Sequence, residues 1–177
     1  MIETQRLILR PWREGDLAPY AAMMADPDVA NWLGGTMTLA EAEASLARRA
    51  ATFEHLGFAM WVVERKADGV FLGSVGLDPA GDDIPFAPVV EVGWRLVRNA
   101  WGLGYATEAA RAAIDDGFMR CGLAEIVAIT ARTNPRSQAV MERLGMARRP
   151  DLDFDHPNLA PDDPLRPHVV YVARADV

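Results

Sequence analysis

The residues of this sequence best suited to binding a ligand are two glycines between a predicted strand and a predicted helix. Gly102-Leu103-Gly104 follows a predicted strand over residues 89–96 and precedes a predicted helix over residues 107–118. The first turn of a helix exposes unpaired backbone N–H groups, and glycine lets a ligand approach the backbone closely. The pattern predicts a phosphate-binding turn, although a tight turn that only packs the helix on the strand would look the same. It is not a dinucleotide fingerprint, since Thr107 replaces the third glycine, nor a P-loop, since Gly-Lys-Ser/Thr is absent.

Hydrophobic periodicity and turn residues predict the elements that position this turn. Alternating or short apolar runs predict strands over residues 6–10, 58–64, 70–77, 89–96, 126–130 and 169–172. Helical spacing and capping residues predict helices over residues 16–25, 38–57, 107–118 and 134–145. Strands that begin antiparallel and then alternate with helices indicate one mixed α/β sheet in a single domain, residues 1–177. The stretch 148–167 holds five prolines without periodicity, which predicts a long functional or disordered loop.

Composition and charge argue against several classes of protein. The 177 residues are 50% hydrophobic, enough for one domain with its own core. The net charge of −7 argues against broad nucleic-acid binding, which needs a basic face. A single cysteine, Cys121, excludes an internal disulfide framework and favours a reducing compartment. Because neither a secretory signal nor a long apolar run is visible, we expect a cytoplasmic protein that does not enter a membrane.

Four stretches of the sequence are informative as an ordered set. They are Thr4-Gln5-Arg6-Leu7-Ile8-Leu9-Arg10-Pro11-Trp12, Gly73-Ser74-Val75-Gly76-Leu77, Glu91-Val92-Gly93-Trp94-Arg95-Leu96 with Gly102-Leu103-Gly104-Tyr105-Ala106-Thr107-Glu108-Ala109, and Asn134-Pro135-Arg136-Ser137-Gln138-Ala139-Val140-Met141-Glu142-Arg143-Leu144-Gly145-Met146. Together they resemble the Gcn5-related N-acetyltransferases (GNAT), most of all the branch that includes the ribosomal-protein alanine N-acetyltransferases. The resemblance implies a central mixed, mostly antiparallel sheet of about seven strands flanked by about four helices.

The resemblance also implies acetyl-CoA as co-substrate, with no metal. It places the pantetheine arm along the backbone of the third long strand and the pyrophosphate on the N–H groups of residues 102–107. The cofactor-binding residues implied in this way are Trp94, Leu96, Val97, Asn99, Gly102, Leu103, Gly104, Tyr105, Ala106, Thr107, Asn134 and Ser137. Asn99 departs from the family pattern, which has Gln or Arg at this position, but backbone contacts should preserve binding. Asn134 is in addition a good N-cap for its own helix.

Acetyl transfer to an amine needs a neutral amine and a proton for the leaving thiolate. The candidate catalytic residues are Glu91, Ser137 and His156. Relatives often carry an acidic residue at the position of Glu91, which makes it the leading general base; a solvent-facing charge is the alternative. Many relatives use a tyrosine as general acid, but none stands here, so Ser137 or a water is expected to protonate the leaving thiolate. His156 is expected to line the acceptor site, or to serve only as a local hydrogen-bond partner.

The function implied by the resemblance is transfer of an acetyl group from acetyl-CoA to a primary amine. The acceptor would be a protein N-terminal α-amine or a small-molecule amine. An acetyl-CoA-binding regulatory module without transferase activity is the alternative. We expect a small-molecule or peptide amine as partner, no nucleic acid or membrane, and a possible homodimer.

Overall fold

A nine-stranded mixed sheet organises the described part of the chain, residues 1–175, in the computed structural model. The strands are β1 (Ile2–Glu3), β2 (Leu7–Arg10), β3 (Met60–Arg65), β4 (Phe71–Pro79), β5 (Val90–Leu96), β6 (Glu125–Ala131), β7 (Ala147–Arg148), β8 (Phe154–Asp155) and β9 (Pro167–Arg174). Their order is β1-β2-β3-β4-β5-β6-β9-β7, with β8 also paired to β9. All neighbours are antiparallel except β5 and β6, which are parallel. The predicted mixed, mostly antiparallel sheet is therefore confirmed.

Five helices occur in the described residues, one more than expected. They are α1 (Leu17–Met24), α2 (Pro27–Ala30), α3 (Leu39–Leu56), α4 (Tyr105–Met119) and α5 (Pro135–Arg143). No helix was predicted directly after residues 16–25, but the Asp26 side chain caps α2 by accepting the Asp28 N–H. Proline at the first helical position suits this start. The helix predicted over residues 38–57 is confirmed as α3: a capping box in which Thr38 and Glu41 bond reciprocally begins it, and Gly57 ends it at φ 75°.

The sheet buries its two faces against different helices. Alternation along the strands turns Val75, Leu77 and Val92 towards α4, where small residues such as Ala110 and Ala113 allow close packing. On the opposite face, α1 and α3 form a second cluster around Tyr20, Met23, Met24 and Ala42. Side chains at odd-numbered positions of β5 therefore face a different environment from those at even-numbered positions.

The proline-rich stretch 148–167 is less irregular than its sequence suggests. It contains one turn of 3-10 helix at Pro150–Leu152 and the short strand β8, which pairs with β9 at Phe154 and His168. Side-chain packing explains this order, since Leu152 and Phe154 cover the apolar residues Val127, Val170 and Val172 of the sheet.

In residues 1–175, no helix combines the length and the apolar character that a membrane span requires.

Candidate functional site

An opening between β5 and β6 is the main irregularity of the sheet. The two parallel strands share one registered pair, Glu91 with Val127. On its other side β5 is paired with β4 along its length, and the Val97 N–H donates to β4 at 2.9 Å. Backbone groups alternate in direction along an antiparallel strand, so the N–H groups of Trp94 and Leu96 point away from β4. They face the opening, which we call the β5–β6 gap.

The glycine turn lies where the chain leaves β5, at the wide end of the β5–β6 gap. Gly102 and Gly104 have φ of 74° and 81°, a region that favours glycine. The N–H groups of residues 102–107 find no protein acceptor in the described part of the chain. A Cβ on Gly102 would meet no atom within 4 Å, so the surface outside the turn is open. Free N–H groups at a helix N-terminus bind anions, and the turn accordingly fits a pyrophosphate.

The N-terminal segment holds this turn in place, a role that the sequence did not reveal. Both the hydroxyl of Thr4 and the backbone N–H of Arg6 donate to Oε1 of Glu108, at 2.6 and 2.8 Å. The Arg6 guanidinium donates to Glu108 Oε2 at 2.7 Å and to the Leu103 carbonyl at 3.0 Å, and it lies over the Tyr105 ring. The Glu108 carboxylate and the Arg6 guanidinium thus hold the turn against the chain that leads into β2.

Trp94 and Ser137 meet across the β5–β6 gap. The indole N–H of Trp94 donates to the Ser137 hydroxyl oxygen at 3.2 Å. Ser137 is itself placed by Asn134, whose Oδ1 accepts the Ser137 N–H at 3.2 Å while its Nδ2 donates to Thr130 at 3.1 Å. Asn134 is 5% exposed and uses both ends of its side chain inside the protein, so its observed role is the N-cap of α5. Its contact with a cofactor stays a prediction.

Other residues implied in cofactor binding already use part of their backbone within the chain. The Leu96 carbonyl accepts the indole N–H of Trp101 at 2.8 Å, and the guanidinium of Arg136 lies over that indole. The Val97 N–H is bonded to β4, and its carbonyl accepts the Ala100 N–H at 2.9 Å. The remaining residues of this set line the turn: Asn99, Gly102, Leu103 and Gly104 are exposed, Ala106 and Thr107 are half-buried, and Tyr105 is buried.

Glu91 lies at the narrow end of the β5–β6 gap, on the face opposite Trp94. It is half-buried and stands directly across from Asp78 of β4. Burial and the Asp78 carboxylate raise the pKa of Glu91 to about 7, although Arg95 and the Ile129 N–H act in the opposite direction. A carboxylate with this pKa suits proton transfer near neutral pH.

His156 lies in a separate aromatic cluster. Its ring centroid is 5.0 Å from that of His168, and its Nδ1 accepts the Asn158 N–H at 3.3 Å. His168 pairs with Ala131, four residues along β6 from the partner of Glu91, which corresponds to about 13 Å of strand. The structure therefore gathers Glu91, Trp94, Ser137 and the glycine turn around the gap and places His156 outside that group.

Comparisons with known proteins agree with this architecture. The model of the acetyltransferase (GNAT) domain matches residues 6–147. The uncharacterized protein YkkB of Bacillus subtilis (strain 168) is 32% identical over 144 residues, which cover 81% of this chain and 83% of that protein. An acetyltransferase structure from Agrobacterium tumefaciens str. C58 superposes with a TM-score of 0.80 at 28% identity, covering 98% of this chain and 94% of that one.

A second similar structure is RimL, a ribosomal L7/L12 alpha-N-protein acetyltransferase in complex with coenzyme A. It superposes with a TM-score of 0.76, covering 97% of this chain and 95% of that chain, at 14% identity. At that identity the likeness concerns the fold alone. The family model spans most of the sequence and the fold agrees throughout, and the chain belongs to the GNAT acetyltransferase family.

Proposed function

We propose that this protein transfers the acetyl group of acetyl-CoA directly to a primary amine, either a protein N-terminal α-amine or a small-molecule amine. The observation that carries the proposal is the position of Glu91 at the narrow end of the β5–β6 gap, whose wide end opens at the unpaired N–H groups of residues 102–107. A base and an anion-binding turn thus lie at the two ends of one opening.

The turn and the exposed edge of β5 are the proposed cofactor site. Bound acetyl-CoA supplies the activated acetyl group as a thioester. The N–H groups from Gly102 to Thr107 bind the pyrophosphate, and the backbone of Trp94 and Leu96 binds the pantetheine arm in the gap. One of these strand N–H groups stabilises the negative charge that develops on the carbonyl oxygen during attack.

Glu91 is the proposed general base. An α-amine has a pKa of about 7.7–8.0 and a lysine amine about 10.4, so both are mostly protonated at neutral pH. Glu91, with a pKa of about 7, can take a proton from an ammonium group that binds beside it, directly or through a water. The amine then attacks from the face of β5 that carries Glu91, while the cofactor arm lies along the edge of the strand.

Ser137 is the proposed acid for the leaving thiolate. Its oxygen already accepts the Trp94 indole N–H, which leaves the hydroxyl hydrogen free to be donated elsewhere. Asn134 holds the first turn of α5 and so fixes where this hydroxyl points. Acid and base therefore act from opposite sides of β5, and neither needs to move past the other.

Release of free thiol from acetyl-CoA, measured with a panel of amines, tests the proposal. The panel should hold peptides with free N-termini, amino acids, polyamines and aminoglycosides, with mass detection of the acetylated product. We expect at least one class to accelerate thiol release well above the rate without amine. Tight binding of acetyl-CoA with no acceleration by any amine would instead indicate the regulatory module without transferase activity.

A further inference from the structure

Arg49 of α3 is a buried cation without a full set of partners. Its side chain is 6% exposed, and both its Nε and its Nη1 lack a hydrogen-bond acceptor. The carboxylate of Asp78 lies 3.8 Å from Nη1, too far for a hydrogen bond. Because an unpaired guanidinium is costly to bury, such a group points to an anion that binds beside it.

Arg95 adds a second positive charge at the same place. It stands four residues after Glu91 on β5, and the alternation of the strand puts both side chains on one face. Burial, and then the charge of Arg95, lower the pKa of Arg49, as expected for two neighbouring guanidinium groups. Arg95 is half-buried and makes no ion pair with any residue between 1 and 175.

Two carboxylates, those of Asp78 and Glu91, lie in the same cluster as the two guanidinium groups. Asp78 and Glu91 stand opposite each other on neighbouring strands, and burial raises the pKa of both. Neither carboxylate accepts a hydrogen bond from Nε or Nη1 of Arg49. A carboxylate supplied by a ligand would satisfy these free donors of Arg49.

On the basis of the proposed function, we infer that the acceptor is an amine that also carries a carboxylate, such as an amino acid or a short peptide. Arg49 and Arg95 bind the carboxylate, and the amine lies beside Glu91. Arg49 is 3.8 Å from Asp78, and Asp78 is the direct cross-strand neighbour of Glu91. The carboxylate-binding donors and the base are therefore separated by little more than one cross-strand pair, about 5 Å between Cβ atoms, which an amino acid can bridge.

Matched acceptor pairs test this inference. The probes are L-amino acids and dipeptides with uncharged side chains, and the same molecules with the carboxylate converted to a carboxamide. We expect thiol release from acetyl-CoA with the carboxylates, and kcat/KM at least about 10-fold lower with the carboxamides. Arg49→Gln should lower kcat/KM for the carboxylates about 100-fold and leave the carboxamides nearly unchanged. Arg95→Gln should act in the same direction, and Arg48→Gln, at the exposed neighbour on α3, should change neither.

The outcomes separate this inference from the proposed function. Carboxamides or simple amines that react as well as the carboxylates would overturn the carboxylate subsite and leave the acetyltransferase proposal intact. No thiol release with any amine, while acetyl-CoA still binds, would overturn both. Equal losses for both members of a pair in Arg49→Gln would mean a structural role for Arg49 and would also overturn the subsite. Should Arg49→Gln fail to fold, Arg95→Gln decides, because its side chain is half-buried only.

Discussion

Replacing Glu91 by glutamine should remove activity and stabilise the protein at the same time. The folded state raises the pKa of Glu91 from 4.5 to about 7, mainly through burial. Between these two values the unfolded chain has released the proton while the folded protein still holds it, so the free energy of unfolding falls as the pH rises. At 1.36 kcal/mol for each pKa unit, the loss is complete above about pH 7 and amounts to about 3 kcal/mol.

Glu91→Gln avoids this loss because its amide stays neutral at every pH. Urea unfolding followed by tryptophan fluorescence should show similar stabilities for the two proteins at pH 4.5. At pH 8.5 we expect the variant to be more stable by about 3 kcal/mol. In the thiol-release assay, kcat should fall by about 100-fold to 10,000-fold, the usual contribution of a general base. Glu43→Gln on the exposed side of α3 is the control for loss of one surface carboxylate.

Two results would refute this reasoning. A stability difference that does not grow between pH 4.5 and 8.5 would mean that burial does not raise the pKa of Glu91. A fully active Glu91→Gln enzyme with the expected gain in stability would confirm the buried carboxyl and exclude it as the base. The combination of lost activity and gained stability distinguishes a functional carboxylate from a structural one, whose removal would lower both.

Three further variants probe the cofactor side of the gap. Gly104→Asp should weaken CoA binding at least about 10-fold in calorimetry, since it adds a negative charge at the proposed pyrophosphate site. Gly145→Asp, at a φ of 76° in open space, is the matched control. Equal affinities in the two variants would remove the turn from the proposed site. Ser137→Ala should lower kcat with little change in the KM for acetyl-CoA, and an unchanged kcat would assign the proton to water. Arg6→Gln should raise the KM for acetyl-CoA with a smaller effect on kcat, because Glu108 and the turn lose their tie to β2; a loss confined to kcat would contradict this role.

Local patterns in the sequence predicted the sheet class and most of the helices. The capping box at Thr38 and Glu41 and the stop at Gly57 bounded α3 to within a residue, because these signals act through neighbouring backbone groups. The short helix α2 was missed, since Asp26-Pro27 ends one helix and begins the next within the same few residues. The order in the proline-rich stretch depends on packing against β9, which no local pattern encodes.

The glycine turn could be predicted from the sequence and the cluster around Arg49 could not, for a physical reason. The glycine turn is contiguous in sequence, so its context of strand, turn and helix is readable along the chain. The proposed acceptor side combines Arg49 from α3, Asp78 from β4 and Arg95 from β5, which come together only through the pairing of the sheet and the packing of α3. Likewise, Arg6 reaches Glu108 across 102 positions of the chain.

The alternation of β5 would let one strand contact both of the proposed substrates. Its odd positions, among them Glu91 and Arg95, face the side of α1 and α3, and its even positions, among them Trp94 and Leu96, face α4 and α5. A shift of register by one residue would exchange these sets and bring a carboxylate into the apolar packing under α4. Burial of Val92 and Leu96 opposes such a shift, since both are at most 5% exposed. The same apolar residues that anchor the strand in the core therefore hold the proposed base and the proposed carboxylate subsite on one face of β5.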